Sequence, residues 1–438
     1  MKKLLLIIMT LILCVFMIVP CLADESTSDV SIISPGLAVI SSKYSMAKSS
    51  LSGGDIEICQ DDFQRSLNLS KISGITVSAV PDSVDGTLML GSICVINGQH
   101  ISGANLDLLK FVPATTDVKV SKFTFVTDYG CPVDFNLYFL TKVNYCPTTE
   151  NAIFTSLDVE TYKNTEYFGK LYANDTENDN LRFEIIEYPN HGTLEITNMQ
   201  NGSYVYTPLE DDIGIENFTY VVCDTYGNYS ASCEVSITVK KARTSIIYAD
   251  LDYNPAENCA TELTERNIMS GTQVGNIYYF YPQHSISRAE FLTMAMNCAN
   301  IETTQNDTTC IFTDIDSVSD NMKNYIKTAY EVGVLDGLYI KGEECAFEPD
   351  GNISRAEAAV IVNNILILKD KTANQISINT SDVQNKTVPV WAEDAMYTLA
   401  SLDILQISGN EIPTGSSNLT RAECAQMLMQ LIRIIDNE

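Results

Sequence analysis

The hexapeptide SISRAE at residues 285–290 decides how the last third of this 438-residue chain folds, because closely similar hexapeptides follow it twice. It returns as NISRAE at 352–357 and as NLTRAE at 418–423, so the shared arginines lie 67 and 66 residues apart. Self-similarity at a nearly fixed spacing indicates a structural unit repeated along the chain. A serine or threonine followed three residues later by glutamate, ahead of an apolar run, predicts a capping box at a helix N-terminus. The predicted capping pairs are Ser287 with Glu290, Ser354 with Glu357, and Thr420 with Glu423.

Each hexapeptide completes a longer pattern that opens on an aspartate. The openings are YAD at 248–250, FTD at 312–314 and TSD at 380–382. A segment of helical periodicity follows each opening, then a glycine-containing loop that in the first two copies ends in Phe-x-Pro, at 280–282 and 347–349. Each repeat is therefore predicted to be a helix, a loop and a second helix, with the repeats at 245–303, 304–371 and 372–438.

The arginine of each hexapeptide requires an explanation beyond helix formation. A cation in the first helical turn lies at the positive end of the helix dipole, which costs about 0.3–1 kcal/mol. A guanidinium beside free helix N–H groups would form an anion site that grips a carboxylate. The alternative is an internal ion pair with the acidic surface. The three arginines are Arg288, Arg355 and Arg421, and examples of acidic partners in the alternative are Asp250, Asp314 and Asp382.

These patterns resemble S-layer homology repeats. The resemblance implies a pseudo-threefold domain whose inter-repeat grooves bind pyruvylated secondary cell-wall polysaccharide, with peptidoglycan and neighbouring S-layer subunits as further possible partners. It also implies that the three arginines contact the pyruvate carboxylate and that the three opening aspartates shape the grooves. Trp391 is the tryptophan of the third repeat alone and is a glycan-contact candidate or a core residue. The third repeat departs from the pattern by lacking the aromatic opening and Phe-x-Pro.

Upstream of a short basic linker at 241–244, alternating β-branched and aromatic residues predict all-β sandwich modules. Residues 144–240 resemble cadherin-like or bacterial Ig-like modules, and residues 54–143 are interpreted as a diverged second sandwich. Residues 24–53 are expected to be partly disordered. The resemblance implies a calcium site in the acidic loops, and a solvated acidic turn is the alternative. The candidate ligands are Asp175, Glu177, Asp179 and Asp224.

The first 23 residues have the three parts of a secretory signal: two lysines, an apolar run from Leu4, and an end in Ala23. A retained membrane helix and lipid attachment at Cys21 are the alternatives. Loss of this segment would remove two lysines and change the net charge from −29 to about −31. Such a charge repels nucleic acid, which is excluded as a partner.

Catalytic and metal-binding motifs are scarce in this sequence. It has three histidines, and its 13 cysteines show no C-x-x-C spacing, so free thiols are expected. Bridges between Cys223 and Cys233 or between Cys131 and Cys146 remain open. The sequence therefore predicts a non-catalytic surface protein that requires no cofactor. An enzyme anchored by the same repeats, with its catalytic site upstream of Val143, is the alternative.

Overall fold

The protein is described by a computed structural model over residues 45–127, 132–149, 158–303, 310–338, 345–371, 388–405 and 414–436. The predicted signal segment, Asp382 and Cys131 lie outside these residues. The chain divides into two compact units, one centred on Gly53–Leu137 and the other on Tyr138–Glu438 together with Ala47–Ser52. Within the described residues, no helix combines the length and the apolar character needed to cross a membrane.

The first unit is built from short strands and one helix. Strand β1, Ser45–Leu51, comes before this unit in the chain. The elements that follow are β2 Ile56–Ile58, α1 Gln60–Leu67, β3 Gly74–Ala79, β4 Gly86–Leu90, β5 Ile93–Cys94, β6 His100–Ser102, β7 Leu109–Pro113, β8 Val120–Thr127 and β9 Pro132–Leu140. One sheet runs β9-β8-β3-β6 and a second runs β2-β7-β4-β5. Strand β1 lies in the segment that was expected to be partly disordered.

The core of this unit is aromatic. Phe63, on helix α1, meets Phe125 and Phe135 edge-on, with ring centroids 5.2 and 5.6 Å apart. All three rings are fully buried, and their geometry is the one that aromatic pairs prefer. The alternating buried residues of β8 and β9 confirm the predicted strands, and helix α1 is an addition that the strand pattern did not reveal.

The second unit begins with an Ig-like sandwich. Its strands are β10 Val159–Tyr162, β11 Tyr167–Lys170, β12 Arg182–Glu187, β13 Thr193–Asn198, β14 Ser203–Thr207, β15 Gly214–Cys223 and β16 Cys233–Lys240. One sheet has the order β10-β16-β15-β12 and the other β11-β14-β13. Cys223 and Cys233 are free thiols, and Cys233 is opposite Tyr220 in the register, so the bridge considered between them is not formed.

Three helix–loop–helix repeats follow, as the sequence predicts. Their elements are α2 Glu257–Glu265, β17 Thr272–Val274, β18 Ile277–Tyr279, α3 Arg288–Cys298, α4 Asp320–Glu331, α5 Arg355–Leu368, α6 Glu393–Ser401 and α7 Arg421–Asp436. Helices α3, α5 and α7 each begin at the arginine of a hexapeptide. Residues of all three repeats share one hydrophobic core, so the repeats form one domain.

The Ig-like sandwich packs on the first and third repeats through polar side chains. The Tyr162 hydroxyl, at the end of β10, donates a hydrogen bond of 2.5 Å to Glu262 on α2, and Lys240 bonds the same carboxylate at 3.0 Å. Burial opposes ionisation of Glu262. The hydrogen bonds from Tyr162, Lys240 and Arg266 outweigh it and lower the pKa of Glu262 to about 2. On helix α7, the Arg433 guanidinium contacts the Tyr167 hydroxyl at 3.3 Å.

Glu257, at the start of α2, has the opposite electrostatic environment. Burial, together with the negative charges of Asp252 and Glu166, raises the pKa of Glu257 to about 7. A hydrogen bond from Thr165 has the opposite effect and only partly offsets this rise. A carboxyl whose folded-state pKa is raised contributes stability below its unfolded pKa, near 4.5. That contribution is lost as the pH rises through 7.

We therefore expect Glu257→Gln to stabilise the chain at pH 8 and to change little at pH 4. The shift corresponds to a free energy of about 3 kcal/mol at most, and solvent screening at this partly exposed site reduces it to about 1–2 kcal/mol. Urea unfolding at the two pH values measures the difference. Asp320→Asn, which removes a fully exposed acid from the first position of α4, is the control and should have no such pH dependence. An equal effect of Glu257→Gln at both pH values would contradict the assignment.

Candidate functional site: the three repeat junctions

The capping boxes are built from the serine or threonine and the glutamate of each hexapeptide. The Ser287 hydroxyl accepts a hydrogen bond from the Glu290 N–H, and the Glu290 carboxylate accepts one from the Ser287 N–H at 3.0 Å. Ser354 with Glu357 and Thr420 with Glu423 have the same geometry. The third helical N–H and the cap N–H are therefore satisfied within each hexapeptide.

The remaining N-terminal amides join each repeat to the next. Arg288 and Ala289 donate backbone hydrogen bonds to Gly351 and Pro349, in the loop before the second hexapeptide. Arg355 and Ala356 donate in the same way to Ser417 and Gly415, and Arg421 and Ala422 donate to His284 and Pro282. The six bonds are 2.8–3.0 Å long. Since the third repeat returns to the first, the three junctions form a closed ring.

This ring corrects one part of the sequence interpretation. An anion site at these helix ends would need N–H groups without partners, and at all three helices the first amides already donate to protein carbonyls. Any anion bound at a junction must therefore be held by side chains.

The opening aspartates fix the Phe-x-Pro loops. Asp250 accepts hydrogen bonds from the Phe280 and Tyr281 amides at 2.8 and 2.7 Å, and Asp314 accepts the equivalent bonds from Phe347 and Glu348, both at 2.8 Å. The middle residues of the two loops have left-handed backbone, with φ of 58° at Tyr281 and 54° at Glu348. Such a conformation is costly for a large side chain and persists only where surrounding contacts enforce it.

The internal ion pairs that the sequence allowed as the alternative are present for two of the three arginines, but their acidic partners are glutamates and not the opening aspartates Asp250 and Asp314. Arg288 pairs with Glu357 of the second hexapeptide and with Glu348 at 3.3 Å, and Arg355 pairs with Glu423 of the third hexapeptide. The Arg288 side chain is only 11% exposed and the Glu357 side chain 15%. Glu357 and Glu423 therefore each cap their own helix through one carboxylate oxygen and, through the other, neutralise the arginine of the preceding hexapeptide.

Arg421 differs from the other two arginines. Its guanidinium donates to the Phe280 carbonyl at 2.8 Å and to the Ser270 carbonyl at 2.7 Å, and it lies over the Phe280 ring at 4.8 Å. Among the described residues, no carboxylate forms an ion pair with Arg421. Glu290, the residue equivalent to Glu357 and Glu423, is exposed at the surface. The junction between the third and first repeats thus keeps an arginine whose charge is not neutralised by an ion pair.

Three stacked rings line the same junction, and the sequence interpretation missed them. Tyr279 stacks on Tyr281 with centroids 5.7 Å apart, and Tyr281 stacks on His284 at 4.9 Å. Two backbone carbonyls of this segment accept hydrogen bonds from Arg421: that of Phe280 from the guanidinium, and that of His284 from the backbone N–H. The aromatic run at 278–281 is the signal in the sequence that could have identified this segment.

The remaining predicted site residues lie elsewhere. Trp391 is 38% exposed, beside the buried Ala392. Asp175, Asp179 and Asp224 come together in the Ig-like sandwich, with one carboxylate oxygen of each within 4.8 Å of the others. Glu177 is not in this cluster. Its side chain is exposed and accepts a hydrogen bond from the Tyr145 N–H at 3.3 Å, so its assignment to the same group of ligands is wrong for the described structure.

Family comparisons agree with both domains. Residues 147–238 match the bacterial Ig domain family, and residues 311–359 match the S-layer homology domain family. The chain therefore contains a bacterial Ig domain and an S-layer homology domain. S-layer homology domains bind cell-wall polysaccharide, which places this chain at the cell surface.

Two curated proteins are similar to part of the chain. The amylopullulanase of Thermoanaerobacterium thermosulfurigenes is 27% identical over 189 residues, which cover 42% of this chain and 9% of that protein. Exoglucanase XynX of Acetivibrio thermocellus is 25% identical over 213 residues, 48% of this chain and 18% of that protein. The chain thus spans less than a fifth of either relative.

The fibronectin(III)-like modules of Clostridium thermocellum CbhA share 14% identity and cover 46% of this chain and 94% of their own. The TM-score of this match is 0.20.

Comparison of Glu357→Gln with Glu290→Gln measures how much the Arg288–Glu357 ion pair contributes to the free energy of unfolding. Glutamine keeps a capping oxygen in both variants, but only Glu357→Gln leaves the poorly exposed Arg288 without its closest carboxylate. We expect Glu357→Gln to lower the free energy of unfolding by about 1.5–3 kcal/mol. Glu290→Gln, at an exposed position, should change it by about 0.5 kcal/mol or less. Urea unfolding at pH 7 measures both values, and equal losses would show that the Arg288 pair does not stabilise the ring.

Proposed function

We propose that this chain is a non-catalytic surface protein that attaches non-covalently to pyruvylated secondary cell-wall polysaccharide. Its β-sandwich modules would face outward as a spacer, an S-layer element or an adhesin. The observation that carries the proposal is Arg421, a cation without an ion-pair partner among the described residues, at the junction that closes the ring.

A carboxylate ligand fits the chemistry of this junction. The Arg421 guanidinium uses its Nε and one terminal nitrogen for protein carbonyls, which hold it in place, and its charge has no neutralising carboxylate in the described structure. Charge-assisted hydrogen bonds to a carboxylate are about twice as strong as neutral ones. Arg288 and Arg355 are already neutralised by glutamates, so a ligand there must compete with an existing ion pair.

The rest of the ligand would lie against Tyr279, Tyr281 and His284. Aromatic faces offer apolar surface for the carbon-bound faces of a sugar ring, while their polar atoms remain in water. A small number of polar groups among such surfaces is typical of sites that fix the orientation of a ligand.

The net charge of the chain strengthens the case for a local site. With 56 acidic and 27 basic residues, the protein as a whole repels an anionic polymer. Attachment to such a polymer must therefore come from particular cationic groups rather than from general charge attraction.

Retention on purified cell wall tests this proposal, with wall compared before and after chemical removal of its acidic polysaccharide. We expect Arg421→Gln to weaken retention of the full chain roughly 10- to 100-fold, because about 1.5–3 kcal/mol of charge-assisted bonding is lost. Arg243→Gln, which removes the same charge from an arginine side chain that is 77% exposed in the linker, is the control and should bind like the wild type. Equal retention on both wall preparations, or full retention of a folded Arg421→Gln variant, would contradict the proposal.

A surface enzyme held by the same anchor is the second candidate. Its support is that both curated relatives carry the names of glycan-degrading enzymes, although each shares only a small part of its length with this chain. A turnover screen of the full chain on starch, pullulan, cellulose and xylan separates the two candidates. We expect no release of reducing sugar, and release that disappears when a pair of acidic residues is substituted would favour the enzyme.

A further inference from the structure

A cavity lies between the Ig-like sandwich and the first and third repeats. Its volume is about 620 Å³, within the range of about 300–1,000 Å³ that is typical of small-molecule sites. Strand β11, the residues that follow it and the start of β14 line the sandwich side of the cavity. Helices α2 and α7 line the other side, together with Asp403 and Ile404 after helix α6. Arg421 and the stacked rings of its junction are not on the cavity wall.

Helix α7 presents a polar stripe to this cavity. Gln426, Gln430 and Arg433 follow one another at helical spacing, so they share one face of the helix, and all three line the cavity. Leu428 and Leu431, on the opposite side of the helix, are buried in the hydrophobic core of the repeats. Packing of the repeats therefore does not account for the polar stripe.

Arg433 brings a positive charge to the cavity wall. Its guanidinium is partly buried, donates one hydrogen bond of 3.3 Å to the Tyr167 hydroxyl and lies 5.9 Å from the centre of the Tyr167 ring. In the part of the chain that the structure describes, no carboxylate forms an ion pair with Arg433. A charge that is partly removed from water is costly unless it is paired. An anionic ligand in the cavity would supply the missing partner.

The acidic residues of the wall do not take this role. Both carboxylate oxygens of Asp403 are occupied, because Lys170 donates to one at 2.7 Å and the Tyr172 hydroxyl donates to the other at 3.0 Å. Asp158 also lines the cavity, but it is exposed to water and forms no ion pair with Arg433 within the described ranges. The guanidinium of Arg433 thus remains available to a ligand.

The other polar groups of the wall fit hydroxyl groups. Gln430 Oε1 is buried and accepts no hydrogen bond from any described residue. The Gln426 amide and the Ser203 hydroxyl also line the cavity, and neither side chain is hydrogen-bonded to a described residue. Amides and hydroxyls both donate and accept, so they can exchange hydrogen bonds with a ligand rich in hydroxyl groups. The partly exposed rings of Phe168 and Tyr172 add apolar surface to the same wall.

We propose that this cavity binds a small carboxylate-bearing saccharide, with its carboxylate on Arg433 and its hydroxyl groups on Gln430 and Ser203. The planar guanidinium matches a carboxylate through paired, charge-assisted hydrogen bonds. The saccharide hydroxyls supply the donors that Gln430 Oε1 lacks, which a simple anion such as acetate does not. Because the ligand would contact both the sandwich and helix α7, its binding would also strengthen the contact between them.

Titration of the full chain with D-glucuronate, observed at the methyl group of Met429 by nuclear magnetic resonance, tests the site. Met429 lines the cavity, so carbon-13 labelling of the methionine methyl groups gives a local reporter, which a Met429→Leu variant assigns. We expect a saturable shift with a dissociation constant on the order of 1 mM, which is ordinary for a ligand of this size. D-glucose, which has the same ring without the carboxylate, should bind at least about 10-fold more weakly.

Matched variants locate the binding. Arg433→Gln should weaken D-glucuronate binding at least about 10-fold, because the charge-assisted hydrogen bonds are lost. Arg243→Gln removes the same charge from a linker side chain that is 77% exposed, and it should bind within about twofold of the wild type. If circular dichroism shows that Arg433→Gln does not fold, Gln430→Leu takes its place. This variant removes the unpartnered oxygen and should weaken binding about threefold or more.

Three results would overturn the proposal. They are no saturable shift of the Met429 methyl with D-glucuronate, equal binding of D-glucose, and equal binding by the cavity variant and Arg243→Gln. A shift with inorganic phosphate but not with D-glucuronate would show an anion site only, and would overturn the assignment to a saccharide. The Met429 methyl reports on this cavity and not on the Arg421 junction, so the outcome is independent of wall retention.

Discussion

The first backbone amides of an α-helix have no partner inside the helix, and in this protein those amides join the three repeats. Each hexapeptide satisfies two donors itself, the cap N–H and the third helical N–H, and passes its next two donors to the loop before the following hexapeptide. Because the third repeat donates to the first, no repeat has these amides satisfied without its neighbours. Closure of the three repeats therefore satisfies these helix ends within the protein, and the same three repeats share one hydrophobic core.

The ring is closed by similar backbone bonds at all three junctions, but its side chains make the junctions different. In the second repeat the middle residue of Phe-x-Pro is Glu348, which gives Arg288 a second carboxylate. In the first repeat that position is Tyr281, which stacks on other rings instead. Arg421 therefore contacts carbonyls and an aromatic ring of the first repeat, whereas Arg288 contacts carboxylates of the second repeat. The glutamate of the first hexapeptide, Glu290, is exposed and forms no ion pair with Arg421 within the described structure, so this junction retains positive charge.

An interaction could be predicted from the sequence when the residues that make it are close together along the chain. The capping boxes act over three residues, and their spacing alone predicted helices α3, α5 and α7 at their first residues. The glutamate partners of Arg288 and Arg355 lie 60 to 69 residues away, and the carbonyls that accept from the Arg421 guanidinium lie 141 and 151 residues away. The sequence therefore suggested the opening aspartates, which are closer along the chain, and missed the glutamates. In the acidic loop the composition identified Asp175, Asp179 and Asp224. Composition could not show that Glu177, between two of them, faces outward.

The contact between the Ig-like sandwich and the three repeats also depends on residues that are far apart along the chain. Glu262 receives hydrogen bonds from Tyr162, Lys240 and Arg266, three residues that no local pattern links. Its lowered pKa keeps it ionised across the whole range in which a surface protein works, so the bonds that it accepts do not weaken with ordinary changes of pH. Arg433, on the last helix of the ring, contacts Tyr167 of the sandwich. The sandwich is thus attached to both the first and the third repeats, the pair whose junction holds Arg421, and this attachment links the orientation of the Ig-like sandwich to the closure of the ring.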